Sequence, residues 1–84
     1  MAHVTVRLFA ALRELAGSPR VEVDGETVGD VVRAVSDRFG ERFASVASAG
    51  SVVVDGERAD PSQPLDEGQD VALLPPVSGG EVPG

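Results

Sequence analysis

The chain has 84 residues and a net charge of −7, with fourteen acidic residues against seven basic ones. This length predicts one domain with a modest core. Because basic residues are in the minority and three Phe are the only aromatic residues, a nucleic-acid-binding surface is not expected. The absence of cysteine excludes disulfides, thiolate metal sites and a cysteine nucleophile. With no apolar run of membrane-spanning length and no leader pattern, we expect a cytoplasmic protein without membrane contact.

The first part of the chain predicts two strands and a short connection. Val4, Val6 and Leu8 alternate with polar residues, which is the period of a half-buried strand. Residues 9–16 predict a short helical or looped piece that stops at Gly17. A second alternating segment covers residues 21–23 and ends in a turn dipeptide. We expect the two strands to pair in an antiparallel manner.

The clearest helix begins after Thr27. Threonine is a favourable N-cap, and Asp30 occupies the position at which a capping box carries an acidic side chain. Gly40 stands where a helix of this length would end. Five apolar residues recur at helical spacing: Val28, Val31, Val32, Val35 and Phe39. A single apolar stripe predicts that this helix lies across a sheet.

The second half of the chain predicts mainly strands. Residues 41–47 favour one further short helical turn before Gly50. Strands are then predicted at residues 51–54, at residues 57–59 as a short edge strand after the Asp55-Gly56 turn, and at residues 70–74. This order predicts an α+β domain with one main helix on a mixed sheet of four to five strands. If the last strand pairs beside the first, the fold is the β-grasp of ubiquitin-like proteins.

The end of the chain predicts a narrow tail. Pro75 and Pro76 close the last strand and favour an extended path. The sequence continues with Val77, Ser78, Gly79 and Gly80, followed by Glu81–Gly84. Glycine has no Cβ, so its backbone can approach another molecule closely. We therefore expect a β-grasp domain over residues 1–75 and a flexible tail over residues 76–84, which extends at most ~17 Å from Pro76 to Gly80.

Three segments resemble the MoaD/ThiS family of sulfur carriers, in particular the small subunit of molybdopterin synthase. They are residues 6–17, residues 27–31 and residues 65–80. The resemblance therefore runs from the first strand to Gly80, nearly the whole chain. Its most specific part is the ending Pro-Pro-Val-Ser-Gly-Gly, because a lone pair of glycines is common in unrelated sequences.

The resemblance implies a sulfur carrier that catalyses nothing by itself. An E1-like adenylyltransferase/sulfurtransferase, which uses ATP and Mg, would adenylate the carboxylate of Gly80 and convert it to a thiocarboxylate. The carrier would then bind the large subunit of molybdopterin synthase and supply sulfur for the molybdenum cofactor. Residues 76–80 (Pro76, Val77, Ser78, Gly79 and Gly80) would enter the active site of each partner. No permanently bound cofactor is implied.

A docking surface should accompany such a tail. Phe9 and Leu74 lie at predicted strand ends near the start of the tail, where they would form an exposed apolar patch. The resemblance supports this interpretation, because it places a partner-binding aromatic residue at the position of Phe9. Burial of Phe9 in the core is the alternative. His3 has no companions at ligand spacing, so we expect a surface residue and no metal site.

Several alternatives stay open. The carrier could serve thiazole or cysteine synthesis instead, or the chain could be a ubiquitin-like modifier or binding module. Glu81–Gly84 hold the carboxyl group of Gly80 in a peptide bond, so we expect a peptidase to remove them. Reaction at Gly84 itself is the alternative, which the bulk of Pro83 and the charge of Glu81 disfavour. All seven basic residues are Arg, so the sequence offers no lysine amine to attack its own activated carboxyl group.

Overall fold

A computed structural model describes residues 1–76, which form five strands and three helices. In chain order these are β1 (Ala2–Leu8), α1 (Ala10–Ala16), β2 (Arg20–Gly25), α2 (Val28–Phe39), α3 (Glu41–Ala49), β3 (Ser51–Val54), β4 (Glu57–Arg58) and β5 (Asp70–Leu74). The strands form one sheet in the order β2-β1-β5-β3-β4. β1 and β5 are parallel, and the other neighbours are antiparallel. This topology confirms the predicted β-grasp, with the last strand beside the first.

The core lies between one face of the sheet and the helices. The predicted alternation of β1 is confirmed, because Val4, Val6 and Leu8 are buried while Arg7 is exposed. Across the core, α2 buries three of its five predicted stripe residues, and Val32 and Phe39 are partly buried. The boundary predicted after residue 75 stays a prediction, because residues 77–84 lie outside the described part of the chain. No helix within residues 1–76 is long and apolar enough to cross a membrane.

The predicted ends of α2 are confirmed in detail. The Thr27 hydroxyl accepts a hydrogen bond from the backbone N–H of Asp30 at 3.2 Å, and the Asp30 carboxylate accepts one from the backbone N–H of Thr27 at 3.3 Å. Together these two bonds form the capping box. At the other end, Gly40 has a φ of 98° and its N–H donates to the Ser36 carbonyl at 2.8 Å. The cap fixes where α2 starts and so which of its faces meets the sheet.

Residues 41–49 form a nine-residue helix, longer than the predicted single turn. The fold therefore has one main helix, as predicted, and two shorter ones at the segments where the sequence predicted short helical pieces. Phe43 on α3 is completely buried, and its ring centroid lies 5.3 Å from that of Phe39. The local sequence, rich in Ala and Ser, shows only a weak apolar stripe. Burial of one large ring against α2 explains why the helix continues beyond its local signal.

Gly50 joins α3 to β3 at a point of close backbone approach. A Cβ placed there would clash with the carbonyl oxygen of Leu74 on the neighbouring strand and lie 3.1 Å from Cα of Pro75. We expect Gly50→Ala to lower the free energy of unfolding by about 1–3 kcal/mol, as overpacking does. Urea titration followed by circular dichroism measures this change.

Gly17→Asn is the matched control for Gly50→Ala. No atom lies within 4 Å of a Cβ added at Gly17, and Asn tolerates the left-handed backbone found there. We expect the control to change the free energy of unfolding by less than about 1 kcal/mol. Equal losses in the two variants would contradict the steric explanation.

Candidate functional site

The strand that precedes the predicted tail, β5, lies in the middle of the sheet. β5 is held on both sides, with Leu73 opposite Leu8 of β1 and Leu74 opposite Ser51 of β3. Pro75 and Pro76 follow directly, and neither has a backbone N–H with which to extend the sheet. The start of the tail is thus anchored by a central strand. The predicted tail residues Val77, Ser78, Gly79 and Gly80 lie outside the described residues, so their role stays a prediction.

One face of the sheet, which we call the open face, is not covered by the helices. On β1 it carries Thr5 and Arg7, which alternate with buried residues, and Phe9 follows at the same parity. Leu8 and Leu73 are opposite each other and both buried, so the residues that follow them, Phe9 and Leu74, are at the same end of the β1–β5 pair. The register therefore puts the two predicted docking residues at one end of the sheet.

Phe9 is exposed rather than part of the core. Its exposed fraction is 36%, and within residues 1–76 Met1 is the only other large apolar side chain that is exposed. Leu74 is half-buried. The alternative that Phe9 is a core residue is therefore wrong. Its part in docking stays a prediction that fits this exposure.

Arg7 belongs to the same patch, although the sequence alone did not single it out. Its guanidinium carbon lies 5.6 Å from the centroid of the Phe9 ring, a cation–π distance. The guanidinium also binds the carboxylate of Asp70, with Nη2–Oδ2 at 2.8 Å and Nε–Oδ1 at 3.1 Å. Both side chains are about half exposed, so this pair adds little stability. Its effect is to hold a planar cation against the exposed ring.

The opposite end of the open face is acidic. The His3 ring lies between two carboxylates of β2, with Nδ1 2.7 Å from Asp24 Oδ1 and Nε2 3.0 Å from Glu22 Oε1. The backbone N–H of His3 donates to Glu67 Oε1 at 2.9 Å. His3 is a surface residue, as predicted. Within residues 1–76, no group of three His, Cys, Asp or Glu side chains that could hold a metal ion is found.

The hydrogen bonds to Glu22 and then to Asp24 raise the pKa of His3 above its ordinary value. A raised pKa in the folded state means that the charged imidazolium stabilises the fold. This contribution is complete below the unfolded pKa and is lost as the pH rises through the folded pKa. We expect the free energy of unfolding, relative to that of His3→Gln, to fall as the pH rises above the ordinary histidine pKa of about 6.5, measured by urea titration at each pH. A wild-type curve parallel to that of the variant would contradict this assignment.

Small archaeal modifier protein 1 of Haloferax volcanii is 40% identical over 85 residues, covering 88% of this chain and 97% of that protein. A Pyrococcus furiosus structure assigned as subunit 1 of a molybdopterin converting factor is 26% identical with a TM-score of 0.80, covering 92% of this chain and 100% of that one.

A chain in the BexX/CysO complex of Amycolatopsis orientalis is also similar, with 26% identity, a TM-score of 0.75, and coverage of 92% of this chain and 99% of that one. A protein of this fold is therefore known in complex with a partner. The similar structures agree with the β-grasp described above. Since the model of the ThiS family matches residues 6–80, this chain belongs to the ThiS family of small ubiquitin-like sulfur carriers and modifiers.

Proposed function

We propose that this chain is a sulfur carrier for molybdopterin synthesis whose working end is Gly80. The observation that carries the proposal is the central strand β5, which leads directly through Pro75-Pro76 into Val-Ser-Gly-Gly within a chain of the ThiS family. A strand held by neighbours on both sides gives the tail a fixed origin. The slim residues that follow suit insertion into an enclosed active site.

The chemistry explains why the carrier needs both a partner and a narrow tail. A carboxylate is a poor electrophile, so an E1-like partner joins it to the α-phosphorus of ATP with Mg present, and pyrophosphate leaves. A persulfide sulfur then attacks the acyl carbon and AMP leaves, which forms an acyl disulfide; a thiol reductant cleaves its S–S bond, is itself oxidised to a disulfide, and releases the thiocarboxylate. An acyl-adenylate hydrolyses in water, so the activating site must exclude it. The chain contributes the reacting carboxyl group and the surface by which the partner holds it.

Removal of Glu81–Gly84 is part of this proposal. While Glu81 follows Gly80, the carbonyl of Gly80 belongs to an amide and offers no carboxylate to ATP. A peptidase that cleaves after Gly80 would release the reacting group. Docking would use the patch formed by Arg7, Phe9 and Leu74, first on the E1-like enzyme and then on the large synthase subunit.

A second candidate function is a ubiquitin-like protein modifier. It is favoured by the 40% identity to a protein named as a small archaeal modifier. Both functions share activation at a terminal glycine and differ in the group that displaces AMP, which is sulfur in one case and a lysine amine in the other. Because the sequence contains no lysine, any lysine-linked conjugate would have to join this chain to a different protein.

The test is intact mass spectrometry after incubation with an E1-like enzyme, ATP, Mg and a sulfur donor. A chain that ends at Gly80 should gain the mass difference between sulfur and oxygen, and the chain with Glu81–Gly84 attached should not change. If the trimmed chain supports no pyrophosphate release, the proposal is wrong. Isopeptide-linked products on other proteins, without a thiocarboxylate, would select the modifier instead.

Docking is tested by Phe9→Ala in the chain that ends at Gly80. If the exposed ring is an interface anchor, the KM for activation should rise about tenfold, the loss typical of one important contact residue. Arg33→Ala, an exposed substitution on α2, is the control and should leave KM unchanged. An unchanged KM for Phe9→Ala would remove Phe9 from the docking surface and leave the sulfur chemistry untouched.

A further inference from the structure

A groove lies on the helix-covered side of the sheet, at the edge formed by β3 and β4. Its cavity measures about 350 Å³ and opens between the start of α2, the end of α3 and the strands β3 and β4. Val32, Val52 and Ala59 line it and are only partly buried, so each leaves apolar surface in the groove. We call it the α2–β3 groove. Val52 and Ala59 line it from the helix side of the sheet, whereas Ser51 and Arg58 have the open-face parity and line it at the exposed β3–β4 edge.

The walls of the groove are fixed by backbone hydrogen bonds. The Gly29 N–H at the start of α2 donates to the Pro61 carbonyl at 2.8 Å, which ties the loop after β4 to the helix. The Ala59 N–H donates to the Val52 carbonyl at 2.9 Å and extends the pairing of β3 with β4. A cavity bounded by such bonds is preformed, and binding to it requires little reorganisation.

Arg58 gives the groove a specific charge. Its Nη2 donates to Ser51 Oγ at 3.2 Å, and both residues line the cavity. Across residues 1–76, no carboxylate lies within 4.0 Å of this guanidinium, although the chain has twice as many acidic as basic residues. Most of its N–H donors therefore have no partner in the described fold. An accessible cation next to an apolar cavity favours a ligand that joins an aliphatic group to an anion.

We propose that the α2–β3 groove binds a short segment of a partner protein in which an aliphatic side chain stands next to an Asp or Glu. The aliphatic side chain enters the cavity between Val32, Val52 and Ala59. The carboxylate pairs with Arg58, which can bind it through two parallel N–H bonds. The volume lies at the small end of ligand-binding cavities, which suits one or two side chains rather than a large cofactor.

The groove lies close to the end of β5, which precedes the predicted tail. Gly50 lines the groove and packs directly against the carbonyl of Leu74, where β5 ends. A partner segment bound there would contact the domain beside the end of β5, at the β3–β4 edge of the sheet. The contact needs neither Gly80 nor its activation. It can therefore succeed or fail independently of the sulfur-carrier proposal.

The test is an NMR titration of the full ¹⁵N-labelled chain with the peptide acetyl-Ser-Ile-Leu-Asp-Ser-amide. We expect shift changes concentrated at Val32, Val52 and Ala59. Arg58→Gln should weaken binding about fivefold, the effect of losing one exposed ion pair. Replacing Asp by Asn in the peptide should weaken it equally. Arg20→Gln, another exposed arginine on a strand, is the matched control and should not alter the affinity.

Three results would overturn the proposal. One is the absence of shifts at the groove with millimolar peptide, and another is an unchanged affinity in Arg58→Gln. The third is a change in the groove resonances of the free protein when the chain is shortened to residues 1–76. That result would assign the groove to the chain's own residues 77–84 rather than to a partner.

Discussion

Replacing Phe43 by alanine is expected to lower the free energy of unfolding by about 3–5 kcal/mol, the usual cost of removing a large buried ring. Phe43 is completely buried and is the largest such side chain in the described fold. Its ring packs at 5.3 Å from that of Phe39 and joins α3 to α2. Domains of this size are stable by about 5–15 kcal/mol, so the variant should be close to its unfolding transition at ambient temperature.

Phe9→Ala is the matched control, because it removes the same atoms from an exposed position. Because 36% of Phe9 is exposed, its truncation to alanine should lower the free energy of unfolding by less than about 1 kcal/mol. Urea titrations of both variants, followed by circular dichroism, measure the difference. Equal destabilisation would mean that Phe9 belongs to the core, and would contradict its assignment to the docking patch. A Phe43→Ala variant as stable as the wild type would contradict the explanation that burial of Phe43 extends α3.

Features encoded by neighbouring residues could be predicted from the sequence. The strand β1 follows from the alternation of Val4, Val6 and Leu8, since the side-chain period of a strand is two. The start of α2 follows from Thr27 and Asp30, whose hydrogen bonds are made within one helical turn. Each of these signals is complete within a few residues.

Features that depend on distant residues could not be predicted in the same way. The length of α3 depends on the burial of Phe43 against α2, which a local pattern of Ala and Ser does not reveal. Arg7 and Asp70 are 63 positions apart and meet only because β1 and β5 are parallel neighbours. The two carboxylates around His3 likewise come from the register of β1 with β2.

The same distinction between local and distant residues applies to the candidate site. The exposure of Phe9 was predicted from its place at a strand end and from the family resemblance, and it is confirmed. The cation held against its ring was missed, since Arg7 looks like any outward-facing strand residue until Asp70 is placed beside it. Arg58 was missed for the same reason. The groove beside it exists only once α2, α3 and β3 are packed together.

Gly79→Val, made in a chain that ends at Gly80, is expected to reduce the rate of adenylation about 100-fold, the cost of misplacing a reacting group by about 1 Å. On the proposed mechanism, glycine at this position would let the backbone enter a narrow active site and adopt angles that β-branched residues avoid. A valine would both widen the chain and restrict it, so the carboxylate of Gly80 would miss the α-phosphate. Chain-dependent pyrophosphate release with an E1-like enzyme measures the rate.

Ser78→Ala is the matched control, because it changes the tail one residue earlier without adding bulk. We expect it to keep the adenylation rate within about threefold, as a surface substitution without a packing role does. Neither variant should change the free energy of unfolding, since the described core is complete by residue 74. If Gly79→Val reacts as fast as the control, a narrow tail is not what the partner requires. The docking patch, rather than the width of the tail, would then be the feature by which the partner recognises this chain.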